Sequence, residues 1–470
     1  MTTRTAAAIV WLRNDLRIAD NPALLAAAKS ADSVTALYIH ETNGSVRAPG
    51  AAARWWLHHS LVDLGKALAE RGIPLITTSG DPQHGLAQAI ATTGAASVFW
   101  NRRYSPQERA VDQDIKDWLK RDGLHAESFA ANVLIEPWDI ATGQGKPYSV
   151  FTPFWRALKQ RDIPAPLPRP EGDSIAPTAI DADYQQPAWA PKLAPYWSIG
   201  ETGAREALAD FLDERLDNYK LGRDFPASTV TSRLSPHLRF GEISPRQVWH
   251  AAMALAQREP GMAEAVDKFL SELTWRDFNY HQLYHRDDIS TVPMQAKYAG
   301  IKWRNVPHDL KAWQRGQTGF PIVDAGMREL WETGTMHNRV RMLVASLLAK
   351  NLLIDWRLGE RWFWDCLLDA DVASNPGNWQ WVAGSGLDAS PYFRIFNPVV
   401  QGERFDASGD YVRHWVPEIA GLPDKWVHQP FAAPAEVLRQ ANVVLGETYP
   451  RPIVDLKSSR ERALAEAKAL

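Results

Sequence analysis

For its first 135 residues the chain alternates two hydrophobic periods. Short apolar runs at 9–12 (Ile-Val-Trp-Leu), 34–39, 73–77 and 97–100 are continuous, as in strands covered on both faces of a parallel sheet. Stretches of helical period separate them. The first opens at Asp20-Asn21-Pro22, with Pro22 at the first helical position, where a missing N–H has no intrahelical partner to lose. This order predicts a Rossmann-like α/β domain with a parallel sheet over residues 1–135. It contains no G-x-G-x-x-G or Walker sequence, so a conventional dinucleotide site has no motif support.

The pattern then changes twice. Residues 136–200 read as a connector, with eight prolines between Pro164 and Pro195 and little periodicity, ordered in part because Trp189, Tyr196 and Trp197 call for burial. From 201 to 470 the period is helical. The clearest case is 338–354, where Val340, Leu343, Val344, Leu347 and Leu348 make one apolar stripe while Arg339, Met342 and Ser346 line another face. An α/β domain, a long connector and an all-α domain follow.

Composition narrows the function. With 45% hydrophobic and 23% charged residues the chain is an ordinary globular one, and no run approaches the roughly 18 apolar residues of a membrane span. The run at 6–12 leads into Arg13, Asp15 and Arg17 rather than a cleavage site, so a reduced, cytoplasmic setting is expected. A single cysteine, Cys366, excludes a disulfide framework, a cysteine-rich zinc site or an all-cysteine iron–sulfur cluster supplied by this chain alone, and no metal is expected. A net charge of −3 means that any nucleic-acid binding must rest on a local basic patch. Twenty-one tryptophans are the outlier.

Four stretches carry chemistry. Asp369-Ala370-Asp371 through Asn375-Pro-Gly to Trp379-Gln-Trp381, continued from Phe393 to Pro398, combines two carboxylates, what reads as an Asn-Pro-Gly turn and two indoles that serve different neighbours, since a helix would set them about 200° apart. Thr231-Ser232-Arg233-Leu234-Ser235 supplies hydroxyls and backbone N–H groups for a pyrophosphate where a helix begins, or else a plain helix cap. Glu272, Trp275, Arg276 and Asn279 share one helix face, with a Glu272–Arg276 ion pair as the plainer reading of the charged two. His337-Asn338-Arg339-Val-Arg341-Met342 forms a polar and sulfur-bearing face that could equally be a solvated basic one.

In order and spacing from about 220 to 400, these motifs resemble the DNA photolyase and cryptochrome family, most closely its bacterial cyclobutane pyrimidine dimer (CPD) photolyases. Tyr219, Arg223-Asp-Phe-Pro226 and Trp11-Leu-Arg-Asn-Asp-Leu-Arg17 match as well. The resemblance implies an antenna-binding α/β domain and a helical FAD- and DNA-binding domain. It also implies light-driven electron transfer from fully reduced FAD to a dimer flipped out of damaged DNA.

The resemblance further implies roles. Trp275, Trp381 and Met342 wall the lesion pocket, and Glu272 and Asn338 bond the thymine edges. Asn375 sits beside flavin N5, and Trp379, Trp356 and Trp303 carry electrons to the flavin. FAD is held by Tyr219, Thr231, Ser232, Arg233, Leu234, Ser235, Phe269, Arg276, Arg341, Asp369, Ala370 and Asp371, with Arg341 an ion-pair partner for Asp369. Arg223, Arg276, Asn279, Arg339 and Gln401 join Glu272, Trp275 and Asn338 against DNA. Phe269 and Asn279 depart from a close bacterial relative, which has tryptophan and tyrosine there.

For the antenna, Gln107-Glu108-Arg109 resembles the stretch that binds 5,10-methenyltetrahydrofolate, with a deazaflavin as the alternative, and Glu41, Trp55 and Trp56 are further candidates. A monomer is expected. A (6-4) photolyase would be expected to place histidine at Met342, and a cryptochrome photoreceptor typically adds a long tail; both stand as alternatives.

Overall fold

The computed structural model describes residues 5–286, 288–389, 391–392 and 394–470. β1 (Thr5–Leu12), β2 (Ala31–Glu41), β3 (Leu75–Gly80), β4 (Ser97–Asn101) and β5 (His125–Phe129) form one sheet of order β3-β2-β1-β4-β5, every pairing parallel. Ile9 pairs with Thr35 on one side and Val98 on the other. β1 and β4 are nearly wholly buried, which explains their unbroken apolar runs. β5 is the strand that hydrophobicity missed: His-Ala-Glu-Ser-Phe lies at an edge and is half exposed, so its sequence carries no apolar run.

The crossovers are helices with local stop and start signals. In α1 (Pro22–Ser30), Asn21 caps by accepting from the Leu24 N–H, and Pro22 stands at the first turn as expected. In the helix Pro106–Arg121, Ser105 and Glu108 cap each other's backbone N–H reciprocally. α2 (Ala51–Ala69) buries Trp55, Trp56, Leu57, Leu61, Leu64 and Leu68.

The proline-rich connector is ordered where it runs along β3, the other sheet edge. Thr178 Oγ1 donates to Leu75 O at 2.6 Å, and the Asp181 N–H donates to Thr77 Oγ1 at 2.9 Å. The buried Asp181 carboxylate accepts from both Arg54 Nη atoms, at 2.8 and 2.9 Å, and pairs with ring nitrogens of His40 and His58, each at 2.9 Å. An otherwise open strand edge is thereby covered.

By backbone packing the chain separates into two units, a division that differs from one drawn by secondary-structure class. The first comprises 1–217, 232–287 and 369–373; the second comprises 218–231, 288–368 and 374–470. The first contains the sheet and the helix Ala263–Tyr284. The second is helical. In it Val340, Leu343, Val344, Leu347 and Leu348 are each at most 2% exposed, as their spacing predicts, although the helix Asn338–Ser346 widens into a π turn over Leu347–Asn351.

Candidate functional site

In the first unit the helix Ala263–Tyr284 presents Glu272, Trp275 and Arg276 half-buried. Glu272 accepts from Lys268 Nζ at 2.6 Å, one turn back. Trp275 stacks face to face on Phe151, centroids 3.9 Å apart at 10°, so one face of the indole is fixed by a residue that no sequence motif marks. Arg276 turns away from the ion pair considered for it: its Nη1 donates to Asn132 O at 2.5 Å and its Nη2 to Leu238 O at 3.5 Å. Asn279 is 6% exposed. Arg276 is thus engaged by backbone carbonyls and Asn279 is packed away from solvent, where a DNA contact was expected of both. Phe269, 6% exposed, packs on Phe211 at 4.6 Å.

The hydroxyl-rich loop turns sharply at the start of a short helix. Arg233 is left-handed (φ +56°) and Leu234 right-handed (φ −82°, ψ −7°), a succession that turns consecutive N–H groups to one side, just where the helix Ser235–Phe240 begins. The Arg233 side chain leaves the loop, donating to Tyr196 O at 2.9 Å and lying 4.4 Å over Trp197. Ser232 Oγ accepts from the Leu234 N–H at 3.4 Å. Asp371, 4% exposed, accepts from the Ala373 N–H at 2.8 Å, and Ala370 O accepts from Arg239 Nε at 2.8 Å. Arg239 Nη1 donates to Asn14 Oδ1 at 2.7 Å, which ties the Trp11–Arg17 motif to the Asp369–Asp371 segment.

In the second unit Asn375-Pro-Gly is not an isolated turn. It lies in the first turn of the helix Ser374–Ala383, where Pro376 forfeits no intrahelical bond. Trp379 is accordingly 3% exposed and Trp381 half-buried. Asn375, 7% exposed, donates Nδ2 to Glu360 Oε1 at 2.8 Å and to Glu360 O at 3.0 Å. Trp379 packs edge-on against Phe363 (5.0 Å) and Trp313 (6.2 Å), and Gly359 makes room for it: a Cβ there would stand 2.1 Å from its ring. Trp356 is 1% exposed, while Trp303 is partly buried against Tyr298, Ile301, Leu353 and Tyr392. Phe393, where the continuation of the segment starts, lies outside the described residues.

At the start of the helix Asn338–Ser346, Asn338 is exposed and Arg339, Arg341 and Met342 are half-buried. Arg341 donates Nε to Met336 O at 2.7 Å. His337 Nδ1 accepts from the Arg339 N–H, and burial holds its pKa down to about 4, so it is neutral at physiological pH. Arg339 pairs with Asp224 at 2.9 Å and lies 4.3 Å over the Phe405 ring. Arg223 Nη1 donates to the hydroxyl of buried Tyr219 at 3.3 Å. Gln401 is half-buried in the helix Pro398–Phe405. Asp369 belongs to the first unit and Arg341 to the second.

Two of the antenna candidates are buried indoles. Trp55 and Trp56 are 2% and 0% exposed: Trp56 Nε1 donates to Glu242 Oε1 at 2.9 Å, and its ring packs against Trp197, His237 and Phe240. They are core indoles of α2 and offer no stacking surface. Glu41 pairs with Arg103 Nη1 at 2.5 Å. Gln107 is exposed and Glu108 half-buried.

This geometry has counterparts in known proteins. Residues 8–171 match the family model described as DNA photolyase, and residues 269–469 match the FAD binding domain of DNA photolyase. The chain belongs to the DNA photolyase family. It is 49% identical to a deoxyribodipyrimidine photo-lyase of Agrobacterium fabrum, covering 100% of this chain and 99% of that one. It superposes on a bacterial class III photolyase from Agrobacterium tumefaciens with a TM-score of 0.95 at 49% identity, covering 100% of this chain and 98% of the other. It is also 39% identical to cryptochrome-1 of Arabidopsis thaliana, over 97% of this chain and 69% of that protein.

Proposed function

We propose that this chain is a CPD photolyase, a deoxyribodipyrimidine photo-lyase that binds FAD and splits cyclobutane pyrimidine dimers in ultraviolet-damaged DNA under blue light. The observation that carries this reading is Trp275: one face is stacked on Phe151, and the half-buried ring has the Glu272 carboxylate one turn away on the same helix. A flat apolar wall beside a hydrogen-bond acceptor suits a pair of fused thymines.

The residues fit FAD. The consecutive N–H groups around Arg233 and Leu234, with the hydroxyls of Thr231, Ser232 and Ser235, suit a pyrophosphate, and buried Asp371 with Asp369 suits the polar edge of the ring and ribose. When bound in its fully reduced state, FAD supplies the photoexcited electron that opens the cyclobutane ring and takes it back afterwards. The chain's own part is to bind and orient. Tyr219 and Phe269 pack the cofactor, Arg276 supports it from the helix Ala263–Tyr284, and Asp369 and Arg341 are further cofactor-binding candidates. Asn375, its amide N–H groups held by Glu360, presents a carbonyl that accepts a hydrogen bond and offers no proton. Trp275, Trp381 and Met342 exclude water from the lesion, and Glu272 and Asn338 bond its edges. Arg223, Arg339 and Gln401 hold the DNA backbone, and Trp303, Trp356 and Trp379 relay electrons that load the cofactor.

We further assign residues 1–135 to antenna binding, 136–200 to the connector and 201–470 to catalysis. The antenna is 5,10-methenyltetrahydrofolate at Gln107 and Glu108, and the protein works as a cytoplasmic monomer. Among the described residues no helix is long and apolar enough to cross a membrane.

The test is light-dependent repair of a dimer-containing oligonucleotide by purified, chemically reduced protein, with a dark control. Recovery of base absorbance in the light alone is expected. Bound flavin with no recovery in either condition would overturn the reading in favour of a cryptochrome photoreceptor, and protein without flavin would overturn it altogether.

A further inference from the structure

One carboxylate in the second unit sits where its sign opposes the proposed task. Asp224 follows Arg223 directly and pairs with Arg339 at 2.9 Å; its side chain is 41% exposed against 18% for the arginine, so the acid is the outer member. An exposed ion pair ordinarily contributes little to folding, so stability gives little reason for it.

The arginine, by contrast, is held in one pose. Its guanidinium lies 4.3 Å over Phe405, and Phe225 meets the same ring edge-on at 6.0 Å and 67°. Its Nε is buried with no hydrogen-bond partner among the described residues. A planar fork laid on a ring, with a carboxylate oxygen on one terminal nitrogen, is the arrangement that a phosphate oxygen would otherwise complete. Acidic Asp224 stands on the same segment as Arg223, the other arginine of the proposed DNA face.

We infer that Asp224 is a specificity-determining positioning residue: it stands in for a phosphate on Arg339, keeps the fork oriented, and makes ordinary duplex compete for it. Undamaged DNA must displace or share the carboxylate with only backbone contacts to offset the loss. Damaged DNA brings the lesion contacts as well, so the gap between the two widens. This inference rests on the reading of Arg339 as a DNA contact.

The test is dark binding of intact and single-dimer duplex across a salt series, for wild type, Asp224→Asn, Asp224→Glu, Arg339→Ala and the Asp224→Asn/Arg339→Ala double variant. Asp224→Asn should tighten binding of intact duplex by roughly three- to tenfold at low salt, as expected for one like charge removed beside a phosphate. It should tighten dimer-containing duplex less, and steepen the salt dependence of log affinity by up to about 0.9, one added phosphate contact. Asp224→Glu should retain discrimination, and the double variant should lose the gain. If Arg339→Ala weakens binding while Asp224→Asn leaves affinity, slope and discrimination unchanged, or weakens binding, the competitor role is overturned and the DNA face survives. If Arg339→Ala is also silent, the DNA face itself is overturned.

Discussion

Arginines near the sheet and arginines of the helical second half are used in opposite ways. Arg17 is 0% exposed; its guanidinium donates to Asn132 Oδ1 and to the backbone oxygens of Asp20, Ala131 and Gly241. Arg13, 5% exposed, holds Asp112 at 3.1 Å, and Arg103, 8% exposed, holds Glu41 and Asp112. Arg223 and Arg339, in the second unit, stay half-buried on aromatic rings. Desolvating a charge costs several kcal/mol unless opposite charges and hydrogen bonds offset it, so the first group is committed to structure. The second group can exchange partners. The same side chain therefore reads as scaffold in one region and as binding surface in the other, and burial distinguishes them where sequence does not.

The largest effect should come from removing a buried partner in the first region. Asp20 is 0% exposed and accepts from Arg246 at 2.7 and 3.1 Å, from the Ser244 hydroxyl at 2.5 Å and from the Leu167 N–H at 2.9 Å. Asp20→Ala leaves Arg246 buried and unpaired and should cost about 3–5 kcal/mol in urea unfolding of the FAD-bound protein. A loss below about 1 kcal/mol would break the comparison.

Glu272→Ala should behave in the opposite way. Its carboxylate is 25% exposed and its partner Lys268 38% exposed, so losing this solvated pair should change stability by no more than about 0.5 kcal/mol. Repair per absorbed photon should nevertheless fall by roughly ten- to a hundredfold, as for a lost hydrogen bond to a charged group worth about 1.5–3 kcal/mol. Undiminished quantum yield with bound FAD would remove Glu272 from the chemistry.

What the sequence made legible follows the same division. Continuous apolar runs revealed four strands because β1 and β4 are buried on both faces, and β5 escaped because an exposed edge tolerates histidine, glutamate and serine. Helical spacing put Glu272, Trp275 and Arg276 on one helix but could not say that Arg276 turns to the carbonyl of Asn132, 144 positions earlier. Trp55 and Trp56 looked available because tandem tryptophans carry no mark of burial, and only Glu242 and Phe240 packing on Trp56 shows them to be core. Phe151 behind Trp275 and Glu360 behind Asn375 are likewise tertiary contacts with no local signature.

A smaller and more selective effect is expected at Trp303, partly buried where Trp356 and Trp379 are nearly inaccessible. As the outer member of the proposed electron relay it should matter for loading the flavin and not for using it. Trp303→Phe should slow photoreduction of oxidised flavin at least about tenfold, equivalent to about 1.4 kcal/mol in barrier, while chemically reduced protein repairs at the wild-type rate. Normal photoreduction in the variant would assign the route to other rings, Trp313 and Tyr392 first.

The smallest effect at neutral pH, and the one that grows on acidification, concerns His281 in the first region. The imidazole is 1% exposed; Nε2 accepts from the Tyr148 N–H at 2.9 Å and Nδ1 donates to Pro137 O at 3.1 Å, so a second ring proton would face a donor. Burial first, then His285, holds its pKa down to about 4 from an ordinary 6.5. Between those values the unfolded chain binds the proton and the folded protein does not, so this group's contribution is complete above pH 6.5 and is lost as pH falls toward 4. Asp277 on the same helix has the opposite sign: burial pushes it up to about 6 from 3.8, so its contribution is complete below 3.8 and is lost as pH rises through 6. The two partly cancel in wild type, which makes a difference measurement necessary. His281→Gln can keep an acceptor for the Tyr148 N–H and has nothing to titrate. Unfolding free energies of wild type and variant should therefore differ by a constant above pH 6.5, and wild type should lose stability relative to the variant as pH falls toward 4. Parallel curves throughout would mean that His281 titrates alike in folded and unfolded chains.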